Sequence, residues 1–140
     1  MSEYCDIEEL EGKTIHAIKR NSFDEEDFIE FICSDGWIYT MYHEQDCTEY
    51  VCIEDINGDL DNLIGCRLEQ ADMRTNSKGG SEEGDSETWT FYNFATIKGY
   101  VVIRWYGSSN GYYSEGVDVS KRFDLQTIRN IKLKLVLEDE

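Results

Sequence analysis

The segment DINGDLD, residues 55–61, places acidic and amide side chains at alternate positions, as a calcium-binding loop does. Such a loop also needs a glycine at its sixth position and a bidentate glutamate at its twelfth. Counted from residue 55, these positions hold Leu60 and Cys66. Because both the sharp turn and the closing ligand are missing, we interpret the segment as a turn followed by a short helical turn that Asp59 caps and Gly65 ends.

A second set of candidate metal ligands consists of one histidine and three cysteines, His43, Cys47, Cys52 and Cys66. Structural zinc sites usually take two ligands from a tight C-x2-C knuckle, and the sequence has none. It also lacks a nucleophile elbow, a P-loop and a G-x-G-x-x-G motif. We therefore predict no metal, no cofactor and no enzymatic activity, and we interpret all five cysteines as reduced thiols.

Acidic residues are concentrated in the first half of the chain. Residues 1–66 contain eighteen Asp or Glu against three Lys or Arg, whereas residues 67–140 contain twelve against ten. Because phosphates are recognised by clustered Lys and Arg, we expect no direct nucleic-acid binding. Two interpretations remain open: the carboxylates imitate a phosphate backbone and occupy a basic groove on another protein, or they form a solvated acidic surface. The candidate partner-binding residues are Asp24, Glu25, Glu26, Asp27, Glu44, Asp46, Glu49, Glu54, Asp55, Asp59 and Asp61.

The composition is typical of one globular domain spanning residues 1–140. Of the 140 residues, 40% are hydrophobic and 13% aromatic, which is enough for a single core despite the net charge of −17. No run of about 18 apolar residues occurs, and the N-terminus is not a basic segment followed by a hydrophobic one. We therefore expect no membrane contact and a cytoplasmic location.

Alternating patterns predict an α+β fold dominated by an antiparallel β-sheet of hairpins, with one or two short helices. The elements predicted before residue 88 are a strand at 13–20, a hairpin at 27–43 that turns at 34–36, a segment at 49–56 that fits strand or helix, a strand at 66–74 and a flexible loop at 75–87.

The segment 88–119 is rich in aromatic residues and predicts two consecutive hairpins. A two-residue turn at Lys98 and Gly99 would pair Phe94 with Ile103 and put Tyr92, Phe94 and Trp105 on one core face. The opposite face is half apolar, and a loop at 107–111 leads to a third strand at 112–119. Aromatic, amide and hydroxyl groups left outside the core could bind a sugar or a nucleotide signal. These candidate ligand-binding residues are Tyr100, Arg104, Ser108, Ser109, Asn110 and Tyr112.

The C-terminal segment has two interpretations. Asp124 is placed to cap a short helix, after which apolar and basic residues alternate from residue 131 to 137 and favour a strand. The alternative is a single helix from Asp124 onward, because the apolar residues at 125, 128, 131 and 135 also fit helical spacing.

Two stretches, MYHEQDCTEYVCIEDINGDLDNLIG at 41–65 and TWTFYNFATIKGYVVIRWYGSSNGYYSEGVDV at 88–119, resemble a family of small bacteriophage and prophage proteins known only as a domain of unknown function. The resemblance implies a phage origin and supplies no activity and no catalytic residues. Small acidic phage proteins often act on host machinery, so we expect binding and inhibition of a host protein with a basic surface, in nucleic-acid handling or anti-phage defence. The alternatives are a module that sequesters a small ligand, and a virion or assembly component.

Overall fold

The computed structural model describes residues 2–21, 26–79 and 85–138, with side chains up to residue 135. The elements in chain order are β1 (Glu3–Tyr4), a first 3-10 turn (Ile7–Leu10), β2 (Ile15–Arg20), β3 (Phe28–Cys33), β4 (Trp37–Tyr42), β5 (Tyr50–Asn57), a second 3-10 turn (Leu60–Leu63), β6 (Gln70–Gly79), β7 (Ser86–Thr96), β8 (Gly99–Ser109), β9 (Asp118–Phe123) and α1 (Leu125–Glu138).

The strands form two antiparallel sheets. Sheet 1 has the order β1-β9-β4-β3-β2 and sheet 2 the order β5-β8-β7-β6. The predicted predominance of antiparallel sheet is confirmed, and the ambiguous segment at 49–56 is a strand. The hairpin around residues 34–36 is also confirmed, as β3 and β4.

The core lies between the inner faces of the two sheets. Phe31 of sheet 1 contacts Phe94 of sheet 2 with ring centroids 5.4 Å apart. Tyr92, Phe94 and Trp105 are almost completely buried, as the alternation of β7 and β8 predicts. Apolar residues therefore occupy the middle of one face of the long β7–β8 hairpin, and small polar residues occupy the same face at its open end.

The register of β7 and β8 differs from the predicted one by two residues. The turn residues are Ile97 and Lys98, so Phe94 pairs with Val101 and not with Ile103. The cause is the second 3-10 turn, because Thr96 donates a 2.5 Å hydrogen bond from its hydroxyl to the carbonyl of Asn62 and accepts one from the Lys98 N–H. Since side chains alternate with a period of two, this shift leaves the inner and outer faces unchanged.

Three predicted boundaries are wrong. The loop expected at 75–87 is shorter, because β6 continues to Gly79 and β7 begins at Ser86, and residues 80–84 lie outside the described part. Polar side chains suit this extension of β6, because it is held by backbone pairing with β7, which pairs in turn with β8. The strand expected at 66–74 begins at Gln70, and the third strand expected at 112–119 begins at Asp118. The second hairpin expected in 88–119 is wrong, because β9 joins sheet 1 between β1 and β4 and does not pair with β8.

The expected C-terminal strand is wrong, and the alternative of one helix is correct. The Asp124 carboxylate accepts hydrogen bonds from the Gln126 N–H and the Thr127 hydroxyl, which starts α1. The segment has no strand beside it in either sheet, so its alternating pattern has no ladder to join. Leu133 and Leu135 are consequently 60% and 56% exposed. Neither α1 nor any other described helix is long and apolar enough to cross a membrane.

We predict that Phe94→Ala lowers the free energy of unfolding by about 3 to 5 kcal/mol, because it leaves a cavity where the two sheets meet. Urea denaturation followed by tryptophan fluorescence measures this change. The matched control is Ile97→Ala at the 80% exposed turn, which we expect to change the same quantity by less than about 0.5 kcal/mol. Equal losses in both variants would contradict the assignment of the core face.

Candidate partner-binding surface

Glu49 organises the loop between β4 and β5 from the inside. Its side chain is buried, and its two carboxylate oxygens accept hydrogen bonds from the N–H groups of Asp46 at 2.8 Å and Cys47 at 2.7 Å. The Gln45 amide donates to it at 3.2 Å, and the ring Nε2 of His43 lies 2.8 Å away. The placement of Glu49 on a partner-binding surface is therefore wrong, because this carboxylate is turned inward to hold its own loop.

His43 joins this loop to the one that follows β8. Its Nδ1 lies 2.7 Å from the carbonyl oxygen of Gly116, while its Nε2 faces the carboxylate of Glu49. Both partners are acceptors, so both contacts are hydrogen bonds only when the ring carries two protons. The buried His43–Glu49 pair thus ties the two loops together at one end of the molecule.

A second buried carboxylate, Glu115, fixes the loop after β8. Hydroxyl groups of Ser86, Thr88 and Ser109 donate to it, the last two at 2.8 and 2.5 Å. Burial raises the pKa of Glu115, but the three hydroxyl donors outweigh it and lower the pKa below its usual value. This role was not predicted; the signal in the sequence is a glutamate between serine and glycine, close before a strand with apolar residues.

Exposed carboxylates with no Lys or Arg partner among the described residues lie on β5, an edge strand of sheet 2, and in the segments that flank it. We call them the acidic edge: Glu44, Asp46, Asp55, Asp59 and Asp61. In the described part of the chain, none of the five forms an ion pair with Lys or Arg. Asp59 additionally caps the second 3-10 turn by accepting from the Asp61 N–H at 2.9 Å, as predicted. Glu44 and Asp46 lie in the loop before β5, Asp55 is on β5, and Asp59 and Asp61 lie at the turn after it, so negative charge is concentrated on this strand and at both its ends.

The other acidic candidates are placed differently. Asp24 and Glu25 lie outside the described residues, and Glu26 is exposed. Asp27 accepts a hydrogen bond from the Ile53 N–H at 2.7 Å, so it covers part of the free edge of β5.

The candidate ligand-binding residues do not form one site. Tyr100 and Ser108 are eight residues apart on β8, which corresponds to about 26 Å. The guanidinium of Arg104, expected to hold an anion, donates to the Glu54 carboxylate at 2.7 Å and is already neutralised. Glu54 is for the same reason not part of the acidic edge.

The loop residues of the same set have structural bonds of their own. The Ser109 hydroxyl donates to Glu115, and the Asn110 side chain accepts from the Tyr112 N–H at 3.0 Å. Tyr112 itself is 84% exposed. A cleft of about 410 Å³ beside Ser108, Ser109 and Asn110 is also lined by acidic residues. None of its described lining residues is a cation, which disfavours phosphate-bearing ligands there.

The candidate metal ligands are dispersed. Within the described ranges, no group of three or more His, Cys, Asp or Glu side chains is arranged to hold a metal ion. All five cysteines are free thiols. Burial raises the pKa of Cys33 to about 12, and Cys47, the exposed member of the set, lies at the loop that Glu49 holds.

Fold and surface together define a small two-sheet antiparallel β domain with an acidic edge and loops pinned by buried carboxylates. The chain belongs to a family described as a domain of unknown function (DUF7448), whose model matches residues 8–119. The match covers most of the chain, from the first 3-10 turn to β9, and leaves α1 outside. No curated protein and no solved structure matches the chain.

The pKa of Glu49 predicts how stability depends on pH. Burial raises this pKa, but hydrogen bonds from the Cys47 N–H, His43 and the Asp46 N–H outweigh burial and lower it to about 2 from an ordinary 4.5. The folded-state pKa is the lower one, so the contribution of Glu49 is complete above pH 4.5 and is lost as pH falls towards 2.

We therefore predict that Glu49→Gln reduces the pH dependence of the free energy of unfolding between about pH 4.5 and 2. Urea denaturation at a series of pH values measures the slope. The control is Glu44→Gln, which removes an exposed carboxylate of the same loop and should leave the slope close to that of the natural sequence. An unchanged slope in Glu49→Gln would show that other carboxylates cause the acid sensitivity.

Proposed function

We propose that this protein is a phage-encoded, non-enzymatic binding protein that inhibits a host protein by docking its acidic edge on a basic surface. The observation that carries the proposal is the group of five exposed carboxylates on β5 and at its two ends, none of them ion-paired to Lys or Arg in the described part of the chain. The resemblance to phage and prophage proteins directs the proposal towards nucleic-acid-handling or defence proteins, which carry basic surfaces for phosphates.

Charge density indicates whether the acidic edge resembles duplex DNA or a single strand. Duplex DNA carries one charge per about 1.7 Å of axis, or about 15 charges over the 26 Å of β5, and a single strand carries about half of that. The acidic edge has five carboxylates on and around this strand, fewer than either number, so its charge is nearer to that of a single phosphate backbone than to that of a duplex. We therefore propose that it occupies a basic groove as one strand would, with partner specificity from neighbouring side chains.

Exposed tyrosines beside the acidic edge support a protein partner. Tyr4 donates a 2.7 Å hydrogen bond to Glu44 and is 67% exposed, and Tyr50 at the start of β5 is 59% exposed. Tyrosine is enriched among the residues that contribute most to protein–protein binding. Attraction by the carboxylates would bring a basic partner to these aromatic side chains.

A small-ligand module is the second proposal, and the cleft beside Ser108 and Asn110 is the feature that favours it. Its hydroxyl, amide and carboxylate lining suits a neutral sugar better than a nucleotide. A virion component remains a third proposal with no specific feature in its favour.

The test compares two triple variants with equal change of charge. Asp46→Asn, Asp59→Asn and Asp61→Asn neutralise the acidic edge, and asparagine keeps the cap at residue 59. Asp6→Asn, Glu8→Gln and Glu69→Gln neutralise exposed carboxylates at the opposite side of sheet 2, where the first 3-10 turn contacts β6.

We expect the natural protein, immobilised and exposed to host lysate, to retain a basic protein at low salt and to release it at high salt. The acidic-edge variant should lose this protein and the control variant should keep it, with identity established by mass spectrometry. Equal retention by both variants would refute the acidic edge. A small molecule that copurifies with the protein, with no protein retained, would favour the ligand-binding proposal.

A further inference from the structure

The outer face of sheet 2 is a second surface, which shares only Asp55 with the acidic edge. Residues of β5 to β8 whose side chains alternate away from the core form rows across the four strands. One row is Asn76, Trp89, Tyr106 and Cys52, and the next is Arg74, Phe91, Arg104 and Asp55. The middle of each row, on β7 and β8, is aromatic or carries an arginine.

No described element packs on this face. The first 3-10 turn contacts β6, and the second contacts β7 and β8. Both turns pack through apolar side chains that belong to the core, so they lie on the inner side of sheet 2. Trp89 contacts Tyr106 at a ring-centroid distance of 5.5 Å, and the Arg74 guanidinium lies 5.5 Å from the centre of the Phe91 ring. The aromatic side chains are thus preorganised by one another while remaining partly exposed to solvent.

The two sides of the outer face differ in net charge. Arg74, Lys78 and Asp72 make the β6 side net positive, and the Asp72 carboxylate accepts hydrogen bonds from Gln70 and Asn93. Glu54 and Asp55 make the β5 side negative. A two-fold axis that runs parallel to the strands between β7 and β8 exchanges these sides. It would place Arg74 of one copy over Asp55 of the other, Phe91 over Arg104, and Trp89 over Tyr106.

We propose that the outer face of sheet 2 binds a second copy of this chain as a symmetric, face-to-face dimer. Charge complementarity carries the proposal, because the two-fold axis puts both charged sides against the opposite sign and stacks the aromatic centre on itself. Size is of the same order: four strands about 4.8 Å apart, from about 26 Å long for β5 to about 36 Å for β7 and β8, give a face of about 630 Å². A standard interface buries about 800 Å² on each partner.

The geometry also excludes two other occupants. A nucleic acid stacked on the aromatic row would bring its phosphates to a protein of net charge −17. An anionic membrane is disfavoured for the same reason. A second copy avoids both penalties because only the locally neutral face is brought close.

The test is a charge exchange between the two sides of the face. Arg74→Asp places aspartates against Asp55 at both symmetric contacts, and Asp55→Arg places arginines against Arg74. Each variant alone should dimerise at least about tenfold more weakly than the natural chain, as loss of a single interface charge pair predicts. A one-to-one mixture of the two variants should restore dimerisation, because every contact is then between opposite charges.

Sedimentation equilibrium of the full chain over a range of concentrations measures the dissociation constants. Reversals of the same kind away from the face, Arg20→Asp on β2 and Asp6→Arg beside the first 3-10 turn, should dimerise like the natural chain. The proposal is overturned if the natural chain is monomeric, if the single reversals have no effect, or if the mixture fails to recover. Open-ended assembly would overturn it as well, because a symmetric interface closes at two copies. The acidic-edge variants leave residues 55 and 74 unchanged, so each proposal is tested without the other.

Discussion

Packing of the inner face of β7 and β8 against sheet 1 is the interaction on which the rest of the structure depends. These two strands are the longest in the fold, and each pairs with an edge strand, so sheet 2 is built around them. With Tyr92, Phe94 and Trp105 directed inward, the period-two alternation of a strand directs Trp89, Phe91 and Tyr106 outward. The same hairpin therefore supplies the core and the aromatic outer face.

Buried carboxylates solve a different problem at the loop end of the molecule. A chain this acidic has few cations to spare, and neither Glu49 nor Glu115 is paired with Lys or Arg in the described part. Backbone N–H groups, an imidazole and three hydroxyls supply the hydrogen bonds that a buried carboxylate requires. The long loops after β4 and β8 are consequently fixed from inside, which leaves their exposed residues at defined positions on the surface.

Sequence patterns predicted the strands and their faces better than their ends. The β3–β4 and β7–β8 hairpins and the core face were predictable from alternation. A register error of two residues leaves each side chain on the same face, as the β7–β8 pairing shows. The position of the β7–β8 turn depends on the hydrogen bond between Thr96 and Asn62. Because these residues are distant in sequence, local patterns could not predict it. The C-terminal helix failed for a similar reason: its alternation is a strand signal only where a neighbouring strand exists.

The surfaces were also predictable only where they depend on local sequence and not on distant neighbours. Exposure of the acidic edge was predictable from charge alone, because isolated carboxylates stay in water. The inward turn of Glu49 and the pairing of Arg104 with Glu54 were not, since both depend on tertiary neighbours. A side chain that the sequence predicts to bind a partner is thus available for binding only when no residue of the same fold already binds it.

The two proposed surfaces respond to salt in opposite ways. Contacts of the acidic edge with a basic partner are between exposed charges and weaken as salt screens them over about 8 to 10 Å. A face-to-face dimer buries aromatic area, which salts excluded from protein surfaces strengthen, and its charge pairs contribute more to orientation than to affinity. Asp55 lies on both surfaces, so dimerisation would engage it while the carboxylates at the two ends of β5 stay free. A dimer would then present two copies of the acidic edge. Binding of both copies to one partner would compensate through avidity for the low charge density of each.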